Sequence, residues 1–460
     1  MRKITYGMIA AAFLLLCGCD SKGVGIDNGS SSGGKDGHDQ SASVGKAITP
    51  WKTGQLDLHF INTTSGECVF VIFPDGTQML VDAAGAMTPT GGGSVTNTEI
   101  RSRWDPLAEG IHFGQFIEAY IRTCMEWTSN GTIDYALLTH FHNDHFGGVT
   151  SSTPASVNSP TYKQQSFAYL MDVFQIGKLM DRGYPDYDYP FDMATKAVGN
   201  AGNCANYITA VKWHVANKGL VAEQFRPGVS DQIILNRSAS DYPTCVVRNI
   251  VSNGELWTGT GTSTEKRFPA KASIVGDGSA AGDICPCENA MSIGFKLSYG
   301  KFDAFLGGDL CYNGSSTLAW KDIETPTAKV CGRVEVLKAD HHGVAKTHGT
   351  GEDAPTSAVA MKYFNPQVWV VNTWADTQPR PDKLASVSNY LPFMDIFISN
   401  LAASTYKGAS TGVASRIKGY DGHILVRVDE GGDWFNVYML SDKDRKMTVQ
   451  SVSGPYKSKE

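Results

Sequence analysis

The chain has 460 residues, 42% of them hydrophobic and 19% charged, with a formal net charge of −6. That is ordinary globular composition with ample length for a large core. An acidic chain with no basic run is not built for broad binding to a phosphate backbone, which relies on clustered Lys and Arg. Arg2 and Lys3 open the chain ahead of an apolar stretch, Met8 to Leu16. Spanning a membrane takes about 20 apolar residues, so this shorter stretch predicts a targeting segment, 1–18. The Gly/Ser/Asp-rich run that follows buries too little to order itself and predicts a flexible tether over 19–52. The body is expected over 53–445 and a loose tail over 446–460.

Within the body, Leu56–Asn62 alternates apolar and polar residues, Cys68–Phe73 is a continuous apolar run, and Gln78–Gly85 resumes after a Pro74–Gly76 turn. These predict an antiparallel meander. Gly85–Asn97 is a long Gly/Thr loop of the kind that shapes sites. Phe113–Trp127 has helical periodicity, and Thr132–His140 reads as a strand. A helical insertion is expected over about 151–230, with helices at Ser166–Asp181 and Asn206–Asn217. Strands are expected at Asp231–Asn236, within Val334–Gly343 and at Gln367–Thr373. Hairpins are expected at Ala290–Leu310, turning at Tyr299–Lys301, and at Asp421–Leu440. Strands early, helices between and strands late predict one layered α/β domain with insertions.

The targeting segment ends in Leu16-Cys17-Gly18-Cys19, which resembles the lipobox of bacterial lipoproteins. The resemblance implies cleavage before Cys19 and acylation of that cysteine, hence an exported protein anchored to the cell envelope by lipid. An ordinary secretory signal is the rival reading. The body cysteines are scattered: Cys68, Cys124, Cys204, Cys245, Cys285, Cys287, Cys311 and Cys331. The tight pair, Cys285-Pro286-Cys287, has no second pair at zinc-knuckle spacing, so these read as buried thiols or structural disulfides.

The chemistry is concentrated in "LLTHFHNDHFGGVT", Leu137 to Thr150. His140 and His142 leave the same side of an extended chain. Asp144 and His145 follow where the chain can turn, so three imidazoles and a carboxylate converge. Neutral imidazoles packed together are hard to satisfy without a divalent ion; the donor set suits Zn2+, with Mn2+ or Fe as alternatives. Downstream, "FLGGDL" delivers Asp309 and "VLKADHHG" delivers His341 and His342, again after apolar strands.

His140-x-His142-x-Asp144-His145 followed by Gly147-Gly148 looks like the signature of the metallo-β-lactamase superfamily. "HFINTTSGECVFVIFPDGTQMLVDAAG", "NAMSIGFKLSYGKFDAFLGGDL" and "VLKADHHG" are similar to the metallo-hydrolase domain of the bacterial competence DNA-uptake protein. The resemblance, running from about Thr53 to about Ser441, implies an αββα sandwich with a dinuclear site at one edge. It implies His140 and His142 on a first metal, Asp144 and His145 on a second, and Asp309 bridging. One of the tandem histidines, His342 in the preferred assignment, would complete the second site. Asp82 would support the metal loop. In a strand the tandem pair would point opposite ways unless the chain turns, leaving His341 to contact substrate or protonate a leaving group. A further first-metal histidine found in many members has no clear equivalent; His214, within a predicted helix, is the one candidate. The family's "QGDA"-like turn is altered to Ser65-Gly66-Glu67-Cys68. His59 and His112 read as structural; His348 and His423 are weaker candidates for lining the pocket.

A metal pair about 3.5–4 Å apart would generate hydroxide near neutral pH and polarise the oxygen under attack, with Asp144 orienting the nucleophile. The expected activity is hydrolysis of a small-molecule or polymer ester, a phosphodiester above others. The alternative is a non-catalytic metal-containing surface lipoprotein that binds. A cysteine hydrolase has little support, since Cys68 lies in an apolar run where a buried thiol is the easy explanation. No protein partner is deducible.

Overall fold

Apolar alternation places the two faces of each strand in different cores, and two sheets and three cores result. Residues 43–63, 66–85, 113–196, 200–278, 282–311, 318–343, 358–374, 378–379, 381–402, 406, 408–443 and 445–459 are described by a computed structural model. The targeting segment, Cys19, most of the tether, the Gly/Thr loop beyond Gly85, His112 and His348 lie outside them. Residues 38–460 form one unit.

The first sheet takes β1 (Leu56–Phe60), β2 (Val69–Ile72), β3 (Gln78–Val81), β4 (Thr132–Leu137), β5 (Gln175–Asp181) and β6 (Val221–Gln224). The second takes β7 (Val246–Ser252), β8 (Glu255–Trp257), β9 (Thr264–Lys266), β10 (Gly294–Tyr299), β11 (Phe302–Leu306) and β12 (Val336–Lys338). It continues with β13 (Val368–Val371), β14 (Asp395–Ile398) and β15 (Ile417–Tyr420). The chain then returns to the first sheet with β16 (His423–Val428), β17 (Trp434–Leu440) and β18 (Val449–Lys457). The orders are β18-β17-β16-β1-β2-β3-β4-β5-β6 and β15-β14-β13-β12-β11-β10-β7-β8-β9. β3 to β6 run parallel, as do β11 to β15.

Val69 and Val71 face the second sheet and meet Phe295, Leu297, Val336 and Val368 in the inter-sheet core. Phe70 and Ile72, one residue out of phase, face helices α1 (Phe113–Thr128), α3 (Ser166–Val173) and α5 (Ala201–Lys218) through Ile117, Phe167 and Tyr207. Two one-turn helices complete this side of the chain, α2 (Asn143–Phe146) and α4 (Met193–Lys196). On the far side Leu337, Trp369 and Ile396 pack on α6 (Glu324–Cys331), α7 (Ala358–Phe364) and α8 (Pro381–Tyr390) through Ala328, Met361 and Leu384. Helices, sheet, sheet, helices: the architecture is the αββα sandwich. Strands buried on both faces read as unbroken apolar runs, which is why β2 and β13 stand out in the sequence.

Four expectations change. The stretch 151–230 is more than a helical insertion, because β5 and β6 extend the first sheet beside β4. The helix expected over Ser166–Asp181 stops at Val173; Gly177 then lies against the β4 backbone, where a Cβ would meet the Asp134 carbonyl oxygen at 2.7 Å. Asp231–Asn236 is not a strand, although Ile233 and Leu235 are buried between the sheets. The described parts of both presumed loose ends are packed: Ile48 and Trp51 are buried, Ala47 bridges Thr448, and Val449–Lys457 pairs with β17. Among the described residues no helix is long and apolar enough to cross a membrane.

Candidate metal centre

Ligands gather at the carboxyl ends of parallel strands, where loops leave the sheet edge. β3 ends before Asp82, and β4 ends before Thr139, His140 and His142. From the other sheet β11 leads to Asp309, β12 to His341 and His342, and β13 to Asn372. The one-turn helix α2 carries Asp144 and His145.

Two groups result, each with its ligand atoms within 4.8 Å of one another: Glu67, His145, Asp309 and His342, and His140, His142 and Asp309. Asp309 is common to both and turns one oxygen to each. His145 Nε2 and His342 Nε2 each lie 3.2 Å from Asp309 Oδ1. His140 Nε2 lies 3.8 Å from Asp309 Oδ2 and 3.1 Å from His142 Nδ1. Asp144 stands at the rim, its carboxylate partly exposed and 3.7 Å from His342 Nε2.

The outer nitrogens are already engaged. His145 Nδ1 is 2.8 Å from Asp82 Oδ2, and His342 Nδ1 is 3.0 Å from the Asn372 carbonyl oxygen. A histidine that donates one N–H to such a group presents the lone pair of its other nitrogen, as metal-ligating histidines do. Those inward Nε2 atoms and both Asp309 oxygens are buried and make no aligned hydrogen bond to the protein. Orphaned buried polar atoms are costly. A divalent cation among them removes that cost, so the residues fit the ion.

Charge agrees with geometry. Burial, and then the neighbouring His145, push the His140 imidazole well below its ordinary range. Burial also opposes charge on His145, but Asp309 and Asp82 outweigh it and lift the ring well above the usual value. Burial opposes ionisation of Asp309 too, yet His145, His342 and His341 hold its carboxyl well below the usual carboxylate range. The pocket draws positive charge inward.

The tandem histidines do not continue β12. His341 and His342 have φ of 47° and 54°, the left-handed region, and Gly343 follows at 70°. Residues other than glycine take this conformation uncommonly, mostly in turns and at functional sites. The chain therefore turns, and both rings face Asp309: His341 Nε2 is 3.9 Å from Oδ2. His341 falls in neither ligand group; its Nε2 lies 3.2 Å from Asn289 Nδ2. Asp82, also left-handed at φ 55°, accepts from Thr139 N and Oγ1, both at 2.8 Å.

Not every candidate joins the centre. His214 Nε2 is 3.1 Å from Asp172 Oδ1 and 2.9 Å from the Tyr162 hydroxyl, in the helical layer, and belongs to neither group. His59 pairs with the Tyr120 hydroxyl at 3.0 Å, and His423 Nδ1 accepts from Asn62 N at 2.9 Å.

Two participants escaped the sequence reading. Glu67, from the altered "QGDA"-like turn, reaches the second group, and Lys338 Nζ, fully buried, lies 2.6 Å from Glu67 Oε2 and 3.8 Å from Asp309 Oδ1. Gly66 makes the approach of Glu67 feasible: at φ 136°, a Cβ there would sit 2.3 Å from the Asp144 carbonyl oxygen, which accepts from Glu67 N. The available signal was Lys338 itself, a charge inside an apolar strand that burial obliges to find a partner.

Residues 128–209 match the family model of the Metallo-beta-lactamase superfamily. That segment is similar to the metallo-β-lactamase superfamily. The match spans β4, His140, His142, Asp144 and His145, so the motif that opens the centre is the part that carries the family. No curated protein matches the chain. Among solved structures, the metallo-β-lactamase fold protein YhfI from Bacillus subtilis is 9% identical, with 75% of this chain and 96% of that one covered and a TM-score of 0.36. A diphosphatase of the PhnP family is 8% identical over 82% and 98% of the two chains, with a TM-score of 0.32. The likeness to this superfamily implies a divalent metal, and the groups around Asp309 are where this chain would hold it.

Proposed function

We propose that this chain is a metal-dependent hydrolase that cleaves a phosphodiester or a related ester, exported and held at the bacterial cell envelope by a lipid on Cys19. One observation carries the hydrolase reading: Asp309 turns one oxygen to each of two ligand groups, and its own oxygens and the inward Nε2 atoms of His145 and His342 are buried without an aligned hydrogen bond. His140, His142 and Asp309 would hold one divalent cation; Glu67, His145, Asp309 and His342 would hold a second. When bound, such cations supply concentrated positive charge that makes water nucleophilic near neutral pH and polarises the bond under attack.

The chain's own residues supply the rest. Asp82 and Asn372 fix the rings of His145 and His342. Asp144, at the rim, is placed to orient the nucleophile and accept its proton. Burial takes His341 down to about 3, so its ring stays neutral and acts on substrate through a hydrogen bond. The phosphodiester preference is supported by the resemblance of the segments around Glu67, Asp309 and His341 to the competence-type domain. The acidic balance and the absence of a basic run favour a small or short substrate over long nucleic acid.

The test uses the full chain, stripped by chelator and reloaded with Zn2+, Mn2+ or Fe2+. It is assayed on bis-p-nitrophenyl phosphate and on carboxylic ester, thioester and lactam panels. Chelator-sensitive release of p-nitrophenolate from the diester is expected. Metal bound at stoichiometry with no turnover on any substrate would overturn the enzyme reading and favour a metal-containing binding lipoprotein.

A further inference from the structure

Cys287 and Cys311 come from segments on opposite sides of the β10–β11 hairpin, yet their Sγ atoms lie 3.7 Å apart. Cys287 is partly exposed and Cys311 is buried against it in the outer core of the second sheet. Among the described residues the clusters of three or more potential metal ligands are the two around Asp309, and neither includes Cys287 or Cys311. Cys285 is no competitor in this geometry; it is buried, and its Sγ packs on the Pro286 carbonyl oxygen at 3.5 Å.

We propose that Cys287 and Cys311 form a disulfide that clamps one flank of the metal centre. A bonded pair sits at about 2.05 Å, so forming the bond brings the two sulfurs closer than they stand here. The position gives the bond its meaning. Cys287 precedes Glu288, whose Oε1 accepts from Phe141 N at 2.8 Å between His140 and His142, and Asn289, which meets His341. Cys311 follows Asp309 by two residues. The bond would thus tie the segment braced on the first histidines and His341 to the segment carrying the shared aspartate.

The co-reactant is a small disulfide such as oxidised glutathione, or a protein disulfide oxidant of the same class. Cys287, the reachable thiol, attacks one sulfur and expels one thiol. Cys311 then attacks Cys287 Sγ in the mixed disulfide and expels the second. The two cysteine protons end on the two released thiols; the cysteines lose two electrons and the reagent disulfide gains them.

The experiment exposes the metal-loaded full chain to oxidised glutathione or to a reductant, then alkylates free thiols under denaturing conditions and maps peptides. A Cys287–Cys311 cross-linked peptide is expected after oxidation and not after reduction. Alkylation of both thiols after oxidation, or pairing of Cys287 with Cys285, would overturn the proposal. Oxidised protein is expected to melt roughly 3–6 °C above reduced protein, with C287S insensitive to redox state; equal shifts in C287S would overturn it. The clamp itself rests on the metal reading and is tested by loss of metal to EDTA, expected several-fold slower in the oxidised form. Equal rates would overturn the clamp. Protein that takes up no metal would defeat the metal reading while leaving the cross-link map intact.

Discussion

Asp57 and Asp309 are both fully buried aspartates with histidine against them, and their surroundings differ in one respect. Asp57 takes both arms of Arg427, at 2.8 and 2.6 Å, with His59 at 3.5 Å. Among the described residues, imidazoles face Asp309 in place of an arginine, with Lys338 at 3.8 Å and closer to Glu67. Both Asp57 oxygens are satisfied by the protein, whereas both Asp309 oxygens and the Nε2 atoms of His145 and His342 that face them make no aligned hydrogen bond. His214 Nε2, with one carboxylate and one hydroxyl, is again satisfied. A buried histidine becomes a ligand through what its neighbours fail to supply.

The largest effect that sharpens this contrast is at Asp309. Asp309→Ala removes the residue shared by both groups; bound metal should fall and hydrolysis should drop by roughly 10³-fold, with circular dichroism unchanged. Wild-type metal content in this variant would end the bridging assignment. Arg427→Met attacks the satisfied aspartate instead. It strands Asp57 as a buried unpaired charge and should destabilise the fold by about 3–5 kcal/mol in urea titration, with metal stoichiometry unchanged. Burial alone would raise the Asp57 pKa, but Arg427 overrides it and leaves it lowered. A lowered folded value means this stabilisation is present above the unfolded pKa, about 3.9, and is lost as pH falls through the folded value. Wild type should therefore lose more of its stability on acidification than Arg427→Met does. Asp82→Ala acts between the two classes. It frees His145 Nδ1 and should weaken metal binding by about 10–100-fold, measured by competition with a chromophoric chelator. His214→Gln should do least, costing about 1 kcal/mol of stability with metal content intact; a lost metal there would return His214 to the centre.

Much of this was legible because the ligands follow apolar strands. His140, Asp309 and His342 each sit just beyond a run that burial on both faces makes unmistakable. What escaped the sequence depends on contacts between distant segments. The QIGKLMD half of the supposed helix becomes β5 because its partner is β4, and nothing local announces that. The tandem histidines read as strand residues until the left-handed turn places both rings toward Asp309. Val449–Lys457 looks like a tail until β17 offers it an edge. Glu67 was hidden by substitution: the turn lost its familiar letters but kept a carboxylate.

Asp82, His140, His142 and His145 lie on segments that leave the first sheet, and Asp309 and His342 on segments that leave the second. An ion among them would act as a rivet through both layers at the rim. Extracting it should let that rim gape, so thermal resistance should track ion concentration, and the empty protein should be the more readily digested at that edge.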